Sequence, residues 1–161
     1  MHAVRFLPAV LFAAGGLVSA ATADQAATVR HQLEVETTGN KVRVRLMVEN
    51  RGDATIWVPR ELAAGEDITG RRFEVLDASG KPVDYTGMMV KRGAFTAADF
   101  HPVAPHTTHM NTLDITPSYA FRKGKHGYQI RYDGPWLADV KQLDAVSHSP
   151  AAPVRFSFTG P

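Results

Sequence analysis

The chain of 161 residues carries 18 Lys and Arg against 16 Asp and Glu, a formal net charge of +2, and no cysteine. The missing cysteine excludes disulfides, a thiol nucleophile, thiolate metal sites and a lipidated cysteine. The basic residues Arg43, Arg45, Arg71, Arg72, Lys91 and Arg92 are spread among acids, which argues against nucleic acid as a partner because such binders carry a basic stripe or excess.

The first 23 residues have the order of a cleavable secretory signal: Arg5, the apolar run 6–18, then Ala21-Thr22-Ala23 as an A-x-A cleavage site. The mature chain is expected to begin at Asp24, with a cut after Ala20 as the alternative. A spanning helix needs roughly 20 apolar residues, and this run is shorter and interrupted by Pro8 and Gly15-Gly16. Residues 24–161 are then expected to be a single domain, periplasmic or secreted, with no membrane attachment after cleavage. That length can bury enough apolar surface to fold without disulfides.

Past the signal the hydrophobic period is two. Val29, His31, Leu33 and Val35 alternate with polar residues, and Val42, Val44, Leu46 and Val48 do so again after Thr37-Thr38-Gly39-Asn40, which predicts a β-hairpin. Asn50-Arg51-Gly52-Asp53 makes a turn into a short strand over 54–58 with Trp57, and 59–72 reads as a loop crossing between sheets. Residues 73–77 and 83–85 flank Ala78-Ser79-Gly80-Lys81 as a second hairpin, with 88–92 continuing as a strand. Residues 100–103 and 107–115 flank the turn Ala104-Pro105-His106, and 126–132 and 154–159 read as the last strands. Helical turns are confined to 117–121 and 136–143, and 134–153, ending Ser149-Pro150-Ala151-Ala152-Pro153, reads as a mobile loop. The pattern predicts an all-β fold, an immunoglobulin-like antiparallel β-sandwich of about seven to eight strands.

His101, His106 and His109 cluster around one turn, and imidazole is the commonest metal ligand near neutral pH. They define an alternative function, a periplasmic copper- or zinc-binding protein, with Met88, Met89 and Met110 as possible soft ligands. Residues three apart on a strand face opposite sides, so His106 joins His109 only through an irregular turn. The chain shows no H-E-x-x-H pair, G-x-S-x-G elbow or phosphate-cradling loop. A triad of Ser118, His126 and Asp133 can be written down but lacks a motif that positions a nucleophile. A non-enzyme without a cofactor is therefore expected. Trp57, Tyr128 and Tyr132 lie in strand-like runs and are expected inside, whereas Trp136, in the turn Gly134-Pro135-Trp136, is expected as a surface anchor.

Several short motifs share an order with a known family: Leu46-Met47-Val48-Glu49-Asn50-Arg51-Gly52-Asp53, Phe73-Glu74-Val75, Gly80-Lys81-Pro82-Val83, Tyr85-Thr86-Gly87 with Val90-Lys91-Arg92, Ala104-Pro105, Leu113-Asp114 with Tyr119, and Gly127-Tyr128. Over residues 46–133 the sequence resembles the N-terminal, propeptide-like β domain of deuterolysin and peptidyl-Lys metalloendopeptidases. The resemblance implies a β-rich module that assists the folding of a zinc protease or holds it inactive. It carries over no catalytic residue or metal ligand, because the zinc-binding helix of those enzymes has no counterpart here. The expected function is an exported, non-catalytic binding module, a chaperone or inhibitor of a secreted metalloprotease. Its partner surface is expected at Tyr85, Lys91, Arg92 and Trp136, acting by strand addition at a sheet edge or by loop insertion into a cleft.

Overall fold

The structure, a computed structural model, describes residues 28–91 and 93–161. The expected signal peptide, with its cleavage site, and Arg92 lie outside the described residues. Among the described residues are ten strands, a short helix over 60–64 and two 3₁₀ turns, the strands forming three antiparallel sheets.

The first sheet joins β1 (Val29–Thr38), β2 (Lys41–Asn50) and β6 (Thr107–Asp114) in the order β1-β2-β6. Its hairpin is the expected one, in register from Val29 opposite Asn50 to Thr38 opposite Lys41. The two-residue connection is closed by Gly39 at φ 61°, a conformation that glycine takes without a Cβ clash. Val42, Val44, Leu46 and Val48 all face inward and are buried, as the alternation requires.

The second sheet is β10 (Val154–Gly160), β7 (Gly124–Arg131) and β4 (Glu74–Asp77), in that order. The third is β5 (Phe100–Val103), β3 (Ile56–Pro59), β8 (Pro135–Leu137) and β9 (Val146–His148). The core between the layers is one cluster that includes Phe73, Leu113, Ile115 and Ile130, each at most 1 % exposed. Tyr128 and Tyr132 are buried as expected, while Trp57 is half-buried.

Five local expectations are corrected. Residues 60–64 form the helix α1 (Arg60–Ala64) within the expected crossing loop, and its five residues are good helix formers except for their shortness. Residues 88–91 form no strand: Lys81–Val83 already occupies the open side of β4, through the Leu76–Pro82 bridge and the Val83 amide on the Val75 carbonyl. Residues 136–143 hold no α-helical turn, and the expected mobile segment 134–153 contains β8 and β9. Trp136 is 5 % exposed and its indole N–H donates to the Ser149 hydroxyl, 3.1 Å, so it belongs to the core and not to a surface anchor.

Three of the edge strands, β5, β6 and β9, are short, proline-bearing or covered. β5 is four residues long and contains Pro102, which has no N–H to offer, and β9 has three residues. β6 is covered by α1: His109 Nε2 lies 2.6 Å from the Ala63 carbonyl, and the Asn111 amide reaches the Leu62 and Gly65 carbonyls at 2.9 and 2.8 Å. Those bonds satisfy the carbonyls that a helix leaves free at its C-terminal end.

Candidate functional site: a projecting apolar loop

Between β4 and β5 the chain leaves the sandwich and returns, and the ends of this excursion are tightly held. On the entry side, Asp84 and Thr86 pair with the 118–120 segment, the Ala120 amide reaching the Asp84 carbonyl and the Thr86 amide the Ser118 carbonyl, 2.9 and 3.0 Å. The Tyr85 ring packs edge-on against Tyr119 at 5.5 Å. Its hydroxyl accepts from the Gly70 amide, 2.8 Å, and donates to the Met88 carbonyl, 2.8 Å. Gly87 permits this closeness, because a Cβ there would stand 2.7 Å from the Tyr85 hydroxyl and 2.9 Å from Ser118 Oγ. Tyr85 is thus a positioning residue at the root of the loop.

The return side is held by another set of contacts. The Thr96 amide and hydroxyl both donate to Asp99 Oδ2, at 2.8 and 3.0 Å, in a capping box over the 3₁₀ turn Ala97–Asp99. Arg60, the first residue of α1, donates from Nε to the Ala98 carbonyl and from Nη2 to the Phe100 carbonyl, 2.7 and 2.8 Å. Phe95 leans on Phe100 with ring centroids 6.1 Å apart.

Large apolar side chains between these anchors stand in water. Met88, Met89, Val90 and Phe95 are 68, 75, 48 and 52 % exposed, and Lys91 beside them is exposed too. No backbone hydrogen bond ties Met89, Val90 or Lys91 to another described residue. Of the expected partner-surface residues, Tyr85 and Lys91 therefore belong to one excursion, Trp136 does not, and Arg92 is outside the described residues.

The histidine cluster comes together only in part. The His101 and His109 rings lie 4.4 Å apart between centroids, tilted at 40° to each other. A carbonyl can only accept, so the His109 contact to Ala63 places a proton on Nε2 and leaves Nδ1 as the ring's remaining nitrogen. Burial, with the neighbouring charges of His109 and Arg60, holds His101 below the usual histidine pKa. His106 instead sits in the left-handed turn, φ 55°, with Nε2 2.8 Å from Asp53. Among the described residues no group of three or more His, Asp or Glu side chains is arranged to hold a metal, so the expected three-histidine site reduces to a pair.

The Ser118, His126 and Asp133 side chains are likewise dispersed: Ser118 is buried beneath Gly87, His126 Nε2 meets the Lys123 carbonyl at 2.9 Å, and Asp133 meets His148 at 2.5 Å. A groove of about 750 Å³ lies along the second sheet against Asp77, Ser79, Tyr128, Arg155 and Ser157. Asp77 there is committed to its own turn, since the Ser79 hydroxyl and the Lys81 amide hold its carboxyl below the ordinary carboxylate range.

Sequence reasoning missed one cluster. His31, on the inward face of β1, is 3 % exposed, and its Nδ1 lies 3.1 Å from the Ser149 carbonyl. Burial pushes its pKa down to about 4 despite that bond. The neutral ring donates from Nδ1, which makes Nε2 an acceptor, and this buried nitrogen has no partner among the described residues. Tyr132 packs edge-on against it at 5.5 Å, and its buried hydroxyl also lacks a partner among the described residues, burial raising its pKa. The signal was present, a histidine in phase with Val29 and Leu33.

No family model matches the chain, and no curated protein matches it. Similar solved structures include the Northeast Structural Genomics Consortium target SoR45, at 14 % identity over 83 % of this chain and 88 % of that one, TM-score 0.45. The yjhA protein from Bacillus subtilis is 13 % identical over 83 % of this chain and 86 % of its own, TM-score 0.31. A penta-heme cytochrome c552 from Thermochromatium tepidum is 10 % identical over 84 % of this chain and 41 % of its own, TM-score 0.35. Likenesses at these scores carry no argument about function; the all-β sandwich rests on the strands themselves.

Proposed function

We propose that the protein is an exported, non-catalytic binding module that engages a secreted metalloprotease by inserting the loop after Tyr85 into an apolar cleft. The observation that carries this reading is the run of exposed Met88, Met89 and Val90 between two pinned ends. Apolar side chains kept in water at a loop tip gain free energy when a partner covers them, and a loop held at both ends loses less entropy on docking. Methionine suits such a surface because its flexible thioether adapts to the cleft it meets. Loop insertion uses this exposed apolar run directly, whereas strand addition at β5, β6 or β9 is hindered because these edges are proline-bearing, covered or very short. The resemblance to a protease propeptide supplies the class of partner, and the signal-like N-terminus the compartment.

The test is chelator-sensitive proteolysis of labelled casein by the exported fraction, with and without added mature domain. The wild-type domain is expected to lower that activity and a Met88→Ser/Met89→Ser double variant to lose the effect. Unchanged chelator-sensitive proteolysis with the wild type, or equal inhibition by the variant, refutes the reading.

A further inference from the structure

We propose that His101 and His109 form a copper site facing solvent, in which one imidazole nitrogen of each ring binds a single Cu²⁺ ion and ties the third sheet to the first. His101 stands on β5, at the edge of the third sheet, and His109 on β6, at the edge of the first. The chain turns between them through Ala104-Pro105-His106, and the two rings come to 4.4 Å between centroids. Both residues are only partly buried, so an ion reaches them from water.

His109 is already set as a ligand. The Ala63 carbonyl, 2.6 Å away, holds its Nε2 proton, which fixes the ring and leaves the Nδ1 lone pair for an ion. A carbonyl behind the far nitrogen is a usual outer partner of a metal-bound imidazole and raises its basicity. His101 has no ring hydrogen bond among the described residues, so its imidazole can turn to bring a nitrogen to the same ion. The spacing points to copper. With metal–nitrogen bonds of about 2.0 Å, imidazoles at adjacent corners of a square have centroids roughly 4.5 Å apart, against about 5 Å at a tetrahedral angle. The observed 4.4 Å fits the square corner, the geometry of Cu²⁺. Arg60, whose charge acts on His101, opposes any cation. That opposition favours the first-row divalent ion that imidazole binds most strongly, which is again copper. Water is left to fill the other corners. His106 takes no part, because its Nε2 is engaged with Asp53 at 2.8 Å. The site uses no residue of the loop after Tyr85, so it stands or falls apart from the docking reading.

Calorimetric titration of the metal-free exported protein at neutral pH, with Cu²⁺ buffered by glycine, tests the proposal together with electron paramagnetic resonance of the complex. One ion per chain is expected, with hyperfine coupling to two imidazole nitrogens. Because the two rings act as a chelate, His101→Gln and His109→Gln are each expected to weaken binding about a hundredfold, and His106→Gln to leave it unchanged. His101→Gln keeps the bond from His109 to Ala63, and the fluorescence of buried Trp136 reports that each variant is folded. Wild-type affinity in folded His101→Gln, coupling to one imidazole nitrogen only, or a loss in His106→Gln as large as in His109→Gln overturns the proposal.

Discussion

Lowering the pH should charge His31 inside the core, and the structure sets how much stability is lost. In the unfolded chain a histidine titrates near 6.5, whereas burial among Tyr132, Gly134 and Ser149 moves His31 to about 4. Between those values the unfolded state binds more protons than the folded one, so unfolding free energy falls as pH falls. The contribution is fully present above about 6.5 and gone by about 4, and at 1.36 kcal/mol per pH unit it amounts to about 3 kcal/mol. That is a large share of the 5–15 kcal/mol typical of a domain, roughly speaking. His101 adds in the same direction, because its pKa is also held down. The carboxylates Glu61 and Asp114, held below their ordinary values, lose their share at lower pH. Urea unfolding followed by Trp136 fluorescence, in the wild type and in His31→Leu, separates these terms. His101 and the carboxylates are common to both proteins and cancel, so the stability difference should shift by about 3 kcal/mol in favour of the variant between pH 7 and pH 4. A difference that does not change with pH would refute the assignment of His31 as neutral and buried.

Three further outcomes follow from single contacts. Gly134→Ala places a Cβ 2.1 Å from the Ser149 carbonyl oxygen and 2.7 Å from His31 Nδ1, at φ 64°, and should cost at least about 2 kcal/mol in urea unfolding because this backbone cannot yield without opening the β8–β9 clasp. Glu61 accepts from the Arg72 guanidinium at 2.8 and 3.1 Å and from the Thr69 hydroxyl at 2.8 Å; burial raises its pKa, but these donors and the Thr69 amide outweigh it. Glu61→Gln should therefore lower stability by about 1–3 kcal/mol at pH 7, with the difference from wild type shrinking as acid titrates the wild-type carboxylate. Tyr132→Phe removes a buried hydroxyl that has no partner among the described residues and should be neutral or stabilising by up to about 1 kcal/mol in thermal melts; a loss above about 1 kcal/mol would show that the hydroxyl is hydrogen-bonded in solution.

The sandwich was legible where one face of a strand is buried, because a period of two records that burial directly. Val42, Val44, Leu46 and Val48 announced β2, and Gly39-Asn40 announced its turn to β1. Long-range pairing was not legible: nothing local in Leu113 says that it will lie opposite Val44. The two errors around aromatic and apolar runs have one cause. Trp136 follows a glycine-proline turn, so its neighbours read as surface, yet Ser149 closes over it from 13 residues away in sequence. Met88, Met89 and Val90 read as strand by composition, but a strand needs a free edge to pair with, and the returning Lys81–Val83 segment had taken the one beside β4. Residue type records a side chain's preference for burial; the topology decides whether a place exists.

The same distinction explains why the two polar features of this chain lie where they do. His31 occupies an inward position that Val or Leu would fill at less cost, and 118 residues separate it from the Ser149 carbonyl that it bonds. The bond reaches across from β1 to the segment that closes over Trp136, and Gly134 is required there to let the two backbones approach. A histidine at this position thus couples closure of the 134–151 clasp to its own neutrality, which apolar packing alone would not do. The loop after Tyr85 carries the opposite arrangement, since its apolar side chains are outside and the polar Tyr85 hydroxyl is spent inside on the Gly70 amide and the Met88 carbonyl. Acid should therefore weaken the clasp well before it affects the loop anchors, none of which contains a histidine. Hydrogen exchange at pH 5 is expected to quicken at the Ser149 and Ala151 amides, which bond to the Gly134 and Tyr132 carbonyls, while the Thr86 and Asp99 amides keep the protection they have at pH 7 after correction for intrinsic rate. Equal loosening at both places would mean that His31 acts on the whole sandwich and not on the clasp.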